Sequence, residues 1–263
     1  MSPVFRVFRG SNWRRDVEAM WGFLQKHYDI MGSGSCATHI HVQIAPNFTL
    51  TDIKRIAQAA IHFEPSFEAL MPPLRRGNPY AKSNWLEGPR LGRAGLSRQE
   101  SIAAIERVSD FHRLMELMQP LQPNTDRSLA WNFYSLFTST GTIEFRKPPV
   151  SLTPEENLSW AELALSFVHA AVRCEASKMQ KVPSNIGGLH WFLQQFNVPG
   201  MNEPARLQSL FRGKNPAAAL EPSPQPQGDM EERMRLEAKL RKTIALDQLQ
   251  IQAFAKTARE PYW

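Results

Sequence analysis

The sequence contains little cysteine and no long hydrophobic run. Only two cysteines, Cys36 and Cys174, occur in 263 residues, which excludes a disulfide framework and predicts a reducing, cytoplasmic compartment. No stretch approaches about 18 consecutive apolar residues, so we expect no membrane span. Residues 1–15 carry four arginines but lack the apolar segment of a secretory signal. The 14 glycines and 20 prolines are too few for a collagen-like or wholly disordered chain.

The composition that is present describes a basic globular protein. Hydrophobic residues make up 42% and charged residues 21%, enough apolar material for a core. The net charge of +6 suits an anionic ligand. No zinc, helix-turn-helix or RNA-recognition motif accompanies the charge, so we expect no nucleic-acid partner. Residues 75–98 hold six basic residues and one acid, a pattern of either a phosphate-binding loop or a solvated one.

Periodicity divides the chain into helices, strands and one long loop. Apolar spacing predicts helices over 14–30, 51–70, 97–118, 153–171, 187–197 and 203–212. Strands are predicted over 36–45, 128–137 and 140–146, the last two as an antiparallel hairpin. Helix starts are predicted at Thr51, at Ser97 with Glu100 as a capping box, and at Thr153 before Pro154. Residues 71–96, rich in Pro, Gly, Asn and Arg, form the loop.

The C-terminal part differs in composition from the rest. Residues 214–228 are predicted to be a linker of Pro, Ala and Gln, too polar and stiff to pack. Residues 229–259 are predicted to form a charged helix, whose irregular heptads favour an appended or docking helix over a coiled coil. We therefore expect an α+β domain over 1–213, the linker, and a helical tail over 229–263 that can bind a protein partner or a second copy.

The strand at 36–45 carries the sharpest local signal, His39-Ile40-His41. Residues two apart on a strand project from the same face, so both imidazoles point into one space. Two neutral imidazoles can hold a divalent metal, or one can hold the metal while the other binds a phosphate. The alternative is a pair of half-exposed strand histidines without a ligand.

A second signal lies in Thr142-Ile143-Glu144-Phe145-Arg146. The alternation places Thr142, Glu144 and Arg146 on one face of a strand. One interpretation puts Glu144 on a metal and Arg146 on a phosphoryl oxygen, which a planar guanidinium binds directionally. The other is a structural salt bridge between the two side chains.

A third signal is Glu64 followed by the turn that contains Arg75 and Arg76. Adjacent arginines before a Gly/Pro turn could reach over a nucleotide. A plain basic turn fits the residues equally well.

Taken together, these motifs resemble the amidoligase family in its fungal branch, within the carboxylate–amine ligase superfamily of glutamine synthetase-like fold. The segments that carry the resemblance are SCATHIHVQI, FEALMPPLRRGNPYAKSN, LAWNFYSL and TIEFRKPPVSLTPEENLSWAELALSFVHAA, within roughly residues 1–213. The resemblance implies a curved antiparallel sheet backed by helices, with the active site on the concave strand face.

The resemblance also implies an activity and a set of site residues. Such enzymes use ATP and Mg²⁺ (or Mn²⁺) to phosphorylate a carboxylate, and an amine of a small molecule or peptide then displaces the phosphate to form an amide. By motif, His39 and Glu144 would bind the metal, and His41 would contact the nucleotide. Arg146 would steady the acyl-phosphate, and Arg75 or Arg76 would touch the phosphates or the acidic substrate. Positive charge around the migrating phosphoryl group is what this chemistry requires.

The acidic residues near the N-terminus depart from that pattern. Family members carry a Glu-x-Glu strand element, a source of further metal ligands, ahead of the helix before the His-x-His strand. Here 38 residues precede His39, and their acids, Asp16, Glu18 and Asp29, follow a helical pattern. We therefore expect an N-terminally shortened version whose metal site lacks ligands, or ligands supplied by another chain.

Two other functional classes remain at this point. One is a non-catalytic relative that binds a nucleotide or a protein, which the missing acids favour. The other is a metallohydrolase, since His-x-His also opens the metal site of barrel amidohydrolases. That fold needs further ligating residues and alternating strands and helices, whereas His62, His112 and His169 lie in helical patterns.

Overall fold

The computed structural model describes residues 12–32, 36–44, 47–119, 128–137, 140–195 and 204–223. These residues form helices around one small antiparallel sheet, which confirms the predicted α+β class. The helices are α1 (Trp13–His27), α2 (Leu50–His62), α3 (Glu64–Leu70), α4 (Arg98–Glu106), α5 (Phe111–Met118), α6 (Pro154–Arg173), α7 (Ala176–Met179), α8 (Ile186–Gln195) and α9 (Pro204–Phe211). The strands are β1 (Ile40–Val42), β2 (Trp131–Asn132) and β3 (Ile143–Phe145).

The helix starts follow local capping chemistry. The capping box of Ser97 and Glu100 and the cap at Thr153 are confirmed. The prediction of Thr51 as the cap of α2 is wrong. Thr49 accepts a hydrogen bond from the Asp52 backbone N–H, and the Asp52 carboxylate accepts one from the Thr49 N–H at 2.9 Å. The reciprocal pair satisfies two N–H groups that the first helical turn leaves unpaired.

The two threonines give a matched test of this cap. Thr49→Ala is expected to lower the free energy of unfolding by about 1 kcal/mol, because it removes the side-chain acceptor. Thr51→Ala is expected to change it by less than about 0.5 kcal/mol, since Thr51 is an exposed residue of the first turn. Denaturant unfolding of both variants measures the difference. Equal losses would contradict the assignment.

Two long helices predicted from periodicity are each broken in two. The helix predicted over 51–70 is interrupted at Phe63, because Pro65 at the start of α3 has no N–H to continue the helical hydrogen bonds. The helix predicted over 97–118 is interrupted before Asp110. The Asp110 carboxylate caps α5 by accepting a hydrogen bond from the Arg113 N–H at 2.8 Å. Apolar spacing continues across both breaks, so periodicity alone does not reveal them.

The sheet has the strand order β1-β3-β2, and both pairs are antiparallel. The predicted hairpin of β2 and β3 is confirmed, although residues 134–137 form a 3₁₀ turn instead of continuing the strand. The strand predicted over 36–45 is regular only at Ile40–Val42. In register, His41 and Asn132 lie opposite Glu144 on its two sides.

The other face of the sheet packs on an aromatic core. Trp131 stacks between Phe145, at 4.3 Å between ring centroids, and Phe167 of α6, at 4.8 Å. All three side chains are buried. Full burial of a large apolar side chain contributes roughly 1.5–3 kcal/mol, and an aromatic pair about 0.5–1.5 kcal/mol more. This core fixes the alternation that turns Glu144 to the opposite face.

The beginning of the predicted linker packs on the domain, contrary to the expectation for 214–228. The Leu220 N–H donates to Pro65 O at 3.0 Å, Ala218 O accepts from the Ile186 N–H at 2.9 Å, and Glu221 pairs with Arg98. Ala218 also packs against the hydrophobic core. The predicted helix 229–259 lies outside the described residues, so the domain boundaries stay a prediction. Among the residues described, no helix is long and apolar enough to cross a bilayer.

Candidate functional site

The polar face of the sheet gathers the residues that the two strand motifs predicted. Glu144 lies on the central strand, with His41 beside it on β1. Oε1 of Glu144 lies 2.7 Å from Arg146 Nη1, 3.1 Å from His39 Nδ1 and 3.6 Å from His41 Nε2. The four residues therefore meet at one carboxylate oxygen, although His39 and Arg146 are 107 positions apart.

The Glu144 carboxylate is nearly buried, with 7% of its side chain exposed. Burial alone would raise its pKa. The hydrogen bond from His39, the charge of Arg146, the hydrogen bond from Asn132 and the charge of His41 outweigh burial and lower the pKa from 4.5 to about 2. Glu144 is therefore a fixed negative charge throughout the physiological pH range.

His41 is a half-exposed imidazole held from two sides. Its Nδ1 lies 2.9 Å from Oγ1 of Thr142, the residue before β3. Burial lowers its pKa below 6.5, Glu144 partly opposes this, and the charges of His39 and Arg146 lower the pKa further. The ring is therefore neutral at pH 7 and can accept or donate a hydrogen bond.

Arg146 combines the two interpretations of the Glu-x-Arg motif. Its ion pair with Glu144 is the salt bridge of the structural interpretation. Its Nε also lies 3.4 Å from Tyr80 O of the long loop, and 16% of the side chain stays exposed. Glu144 balances the Arg146 charge, so the guanidinium is held in a fixed orientation next to the two imidazoles.

The structure places Arg75 and Arg76 on backbone carbonyls. Arg75 is buried and donates to Arg146 O at 2.8 Å and Lys147 O at 3.0 Å. Arg76 donates to Met71 O at 3.0 Å and Ala69 O at 3.3 Å. Arg75 thus ties the loop to the residues after β3, and Arg76 ties it to the end of α3. The contact of either side chain with a phosphate stays a prediction. Three other arginines of the basic segment form ion pairs: Arg90 with Glu116, Arg93 with Glu87, and Arg98 with Glu221.

Glu64 lies away from these four residues. Its buried carboxylate accepts hydrogen bonds from Ser83 Oγ at 2.6 Å, from the Trp85 N–H at 3.1 Å and from the Asn84 N–H. These donors are consecutive residues of the long loop. Glu64 therefore anchors the part of the loop that runs beside β2, where Lys82 pairs with Leu129.

Sequence reasoning missed two buried amides behind Glu144. Asn132 on β2 donates from Nδ2 to Glu144 Oε2 at 2.7 Å, and Gln119 donates from Nε2 to Asn132 Oδ1 at 2.8 Å. Both are fully buried. The available signal was an asparagine inside the apolar run Leu-Ala-Trp-Asn-Phe, since a buried amide needs hydrogen-bond partners.

The side chains of this site can be compared with the ligands that the expected metal requires. Mg²⁺ prefers about six oxygen ligands, whereas the site offers two imidazoles and one carboxylate whose two oxygens already accept hydrogen bonds. Within the ranges the structure describes, no group of three or more His, Cys, Asp or Glu side chains is arranged to hold a metal ion. These residues alone do not fit Mg²⁺, and the expected pair His39 and Glu144 needs further oxygen ligands.

Comparison with known proteins identifies the family of this chain. Residues 1–168, more than half of the chain, match the family described as Putative amidoligase enzyme. The chain therefore belongs to the amidoligase family. Neither the curated proteins nor the solved structures contain a match. The family match covers both strand motifs, the long loop and most of α6.

Proposed function

We propose that this protein is an ATP-dependent amidoligase that joins a carboxylate to an amine through an acyl-phosphate. Membership of the amidoligase family supports the ligase class. The observation that carries the proposal is the convergence of His39, His41 and Arg146 on the buried Glu144 carboxylate. The proposal includes the fungal branch of the family, the glutamine synthetase-like superfamily and a cytoplasmic location.

The proposed reaction has two steps. A substrate carboxylate oxygen attacks the γ-phosphorus of ATP and ADP leaves. The amine nitrogen then attacks the acyl carbon, phosphate leaves, and the nitrogen releases one proton to solvent. Both steps place negative charge on phosphoryl oxygens, which a fixed cation stabilises. We assign that role to Arg146, because Glu144 and Tyr80 O hold its guanidinium in place. His41 is assigned to the nucleotide phosphates. ATP and Mg²⁺ or Mn²⁺ are the cofactors that the proposal requires.

Arg75 receives a supporting role within this proposal. Its guanidinium bonds to the carbonyls of Arg146 and Lys147 and so fixes the backbone that carries Arg146. The substrates are small-molecule or peptide carboxylates and amines. A protein partner or a second copy at residues 229–259 remains part of the proposal.

Release of ADP that requires both a carboxylate and an amine tests this function. Glu144→Ala and His39→Ala are each expected to reduce the rate by about 100-fold or more, the order of effect of removing one preorganised polar group. His112→Ala is the matched control, because His112 is an exposed histidine of α5, and its rate should equal that of the unmodified protein. No ADP release across a broad panel of acids and amines would contradict the ligase proposal.

A second candidate is a non-catalytic relative that binds a nucleotide or a protein partner. The hydrogen bonds that already occupy both oxygens of Glu144 favour it, because they compete with metal binding. Calorimetry separates the two candidates. Binding of ATP that is equal with and without Mg²⁺, together with no ADP release, would support the non-catalytic relative.

A further inference from the structure

Asn132 occupies a position that controls the central carboxylate of the site. It lies on β2 directly opposite Glu144 and is fully buried. Its side chain fills the space on the side of Glu144 that faces away from His41 and His39. A buried amide at such a position has to place its donor and its acceptor correctly, because an unpaired polar atom there is costly.

The neighbours of Asn132 determine which way its amide points. The Tyr134 backbone N–H donates to Asn132 Oδ1 at 2.9 Å, and Gln119 Nε2 donates to the same oxygen at 2.8 Å. A backbone N–H is only a donor, so the atom that it meets must be the amide oxygen. Nδ2 of Asn132 is therefore the atom that faces Glu144, and it donates to Oε2 at 2.7 Å.

This hydrogen bond divides the two oxygens of Glu144 between two tasks. Oε2 is bound to Asn132 inside the protein, and only Oε1 faces His39 and Arg146. His39 Nδ1 lies 3.1 Å from the ionised Oε1, which is an acceptor, and 3.4 Å from Arg146 Nη1, which is a donor. Because the carboxylate oxygen is the nearer of the two and is charged, Nδ1 of the neutral ring carries the proton and donates to Oε1. His39 Nε2 is then an unprotonated acceptor on a ring of which 37% is exposed.

We propose that Asn132 is a positioning residue that fixes Glu144 with one oxygen toward His39 and thereby selects the Nδ1–H tautomer of this histidine. The Nε2 lone pair of His39 is then left as an acceptor that a ligand can use. This inference rests on the proposed function and adds to it one specific acceptor atom, His39 Nε2. The orientation of Glu144 and the tautomer of His39 can be measured whether or not the protein has ligase activity.

Two-bond ¹⁵N–¹H correlation spectra of histidine-labelled protein at pH 8 test the tautomer. The His39 signals are assigned by their loss in His39→Gln. The unmodified protein should show the Nδ1–H form in about tenfold or greater excess, since a hydrogen bond to a charged acceptor sets the preference.

Asn132→Asp is expected to reduce that excess to a mixture within about threefold. The new carboxylate meets Glu144 and forces it either to take up a proton or to rotate, and both results weaken Oε1 as an acceptor for His39. Asn132→Ser replaces the amide by a hydroxyl on a shorter side chain and adds no charge. It should also reduce the excess of the Nδ1–H form. It provides the test if Asn132→Asp does not fold.

Asn84→Asp separates positioning from general support of the strand. Asn84 is also a buried amide and holds the backbone of Trp131, the neighbour of Asn132, through bonds of 2.7 and 2.9 Å. Its replacement should destabilise the protein and leave the His39 tautomer unchanged. An unchanged tautomer in a folded Asn132 variant, or an equal loss in Asn84→Asp, would overturn the proposal. The ligase assay and these spectra are independent measurements, so failure of the proposed function can be distinguished from failure of the tautomer proposal.

Discussion

Replacing Glu68 by leucine is expected to lower the free energy of unfolding by about 3–5 kcal/mol. Glu68 on α3 forms an ion pair with Lys147, the residue after Arg146, and their side chains are only 6% and 3% exposed. Lys147 Nζ has one further contact, Ala81 O at 3.3 Å. Removing the carboxylate leaves a buried ammonium group without a counter-charge, which is far costlier than losing an exposed pair. Denaturant unfolding at neutral pH gives the value.

A double variant shows whether the cost comes from the unpaired charge. Glu68→Leu/Lys147→Met replaces both partners by apolar side chains and is expected to recover most of the lost stability, because a buried pair contributes little beyond its apolar replacement. Glu175→Gln breaks the exposed pair with Lys178 and should cost less than about 1 kcal/mol. A Glu68→Leu loss as small as that of Glu175→Gln would contradict the assignment.

The stability of the protein is expected to depend on the ionisation of Glu64. Burial raises the pKa of this carboxyl from 4.5 to about 7, and the hydrogen bonds from Ser83, Trp85 and Asn84 only partly oppose burial. Between these two pH values the folded state keeps a proton that the unfolded state releases. The contribution of Glu64 to stability therefore falls as pH rises from about 4.5 to about 7, by about 3 kcal/mol in total.

Glu64→Gln removes this ionisation and isolates its effect. Three histidines, His41, His62 and His190, have pKa values lowered by burial and shift stability in the opposite direction, so the informative quantity is the difference between the protein and the variant. The variant should gain stability relative to the protein as pH rises from 5 to 8. Glu100→Gln is the control, because the pKa of its carboxyl is lowered and lies outside this interval. Parallel profiles for the protein and Glu64→Gln would refute the assignment.

Local chemistry in the sequence predicted much of the candidate site. The two-residue period of strands placed His39 with His41, and Glu144 with Arg146, on common faces. The hairpin of β2 and β3 and the caps at Ser97 and Thr153 follow from short sequence signals, and the structure confirms them. These features depend on residues within a few positions of each other.

Features that depend on distant contacts could not be predicted in the same way. The sequence left Arg75 and Arg76 open between a nucleotide-binding turn and a plain basic turn, and a sequence pattern does not identify the carbonyls that their donors bind. The break at Phe63 was hidden because apolar spacing continues through it. Asn132 gained its role only from Gln119, Tyr134 and Glu144 around it.

By itself, the sequence determined which side chains share a strand face, where several helices begin and which family the chain belongs to. Alternation and capping act over two to four residues, so the order of residues specifies them. Only the tertiary structure decided that β1 pairs with β3 and brings His39, His41 and Arg146 to Glu144. That pairing depends on packing Ile40, Trp131 and Phe145 into one core, and its stability comes from the sum of many contacts between distant residues.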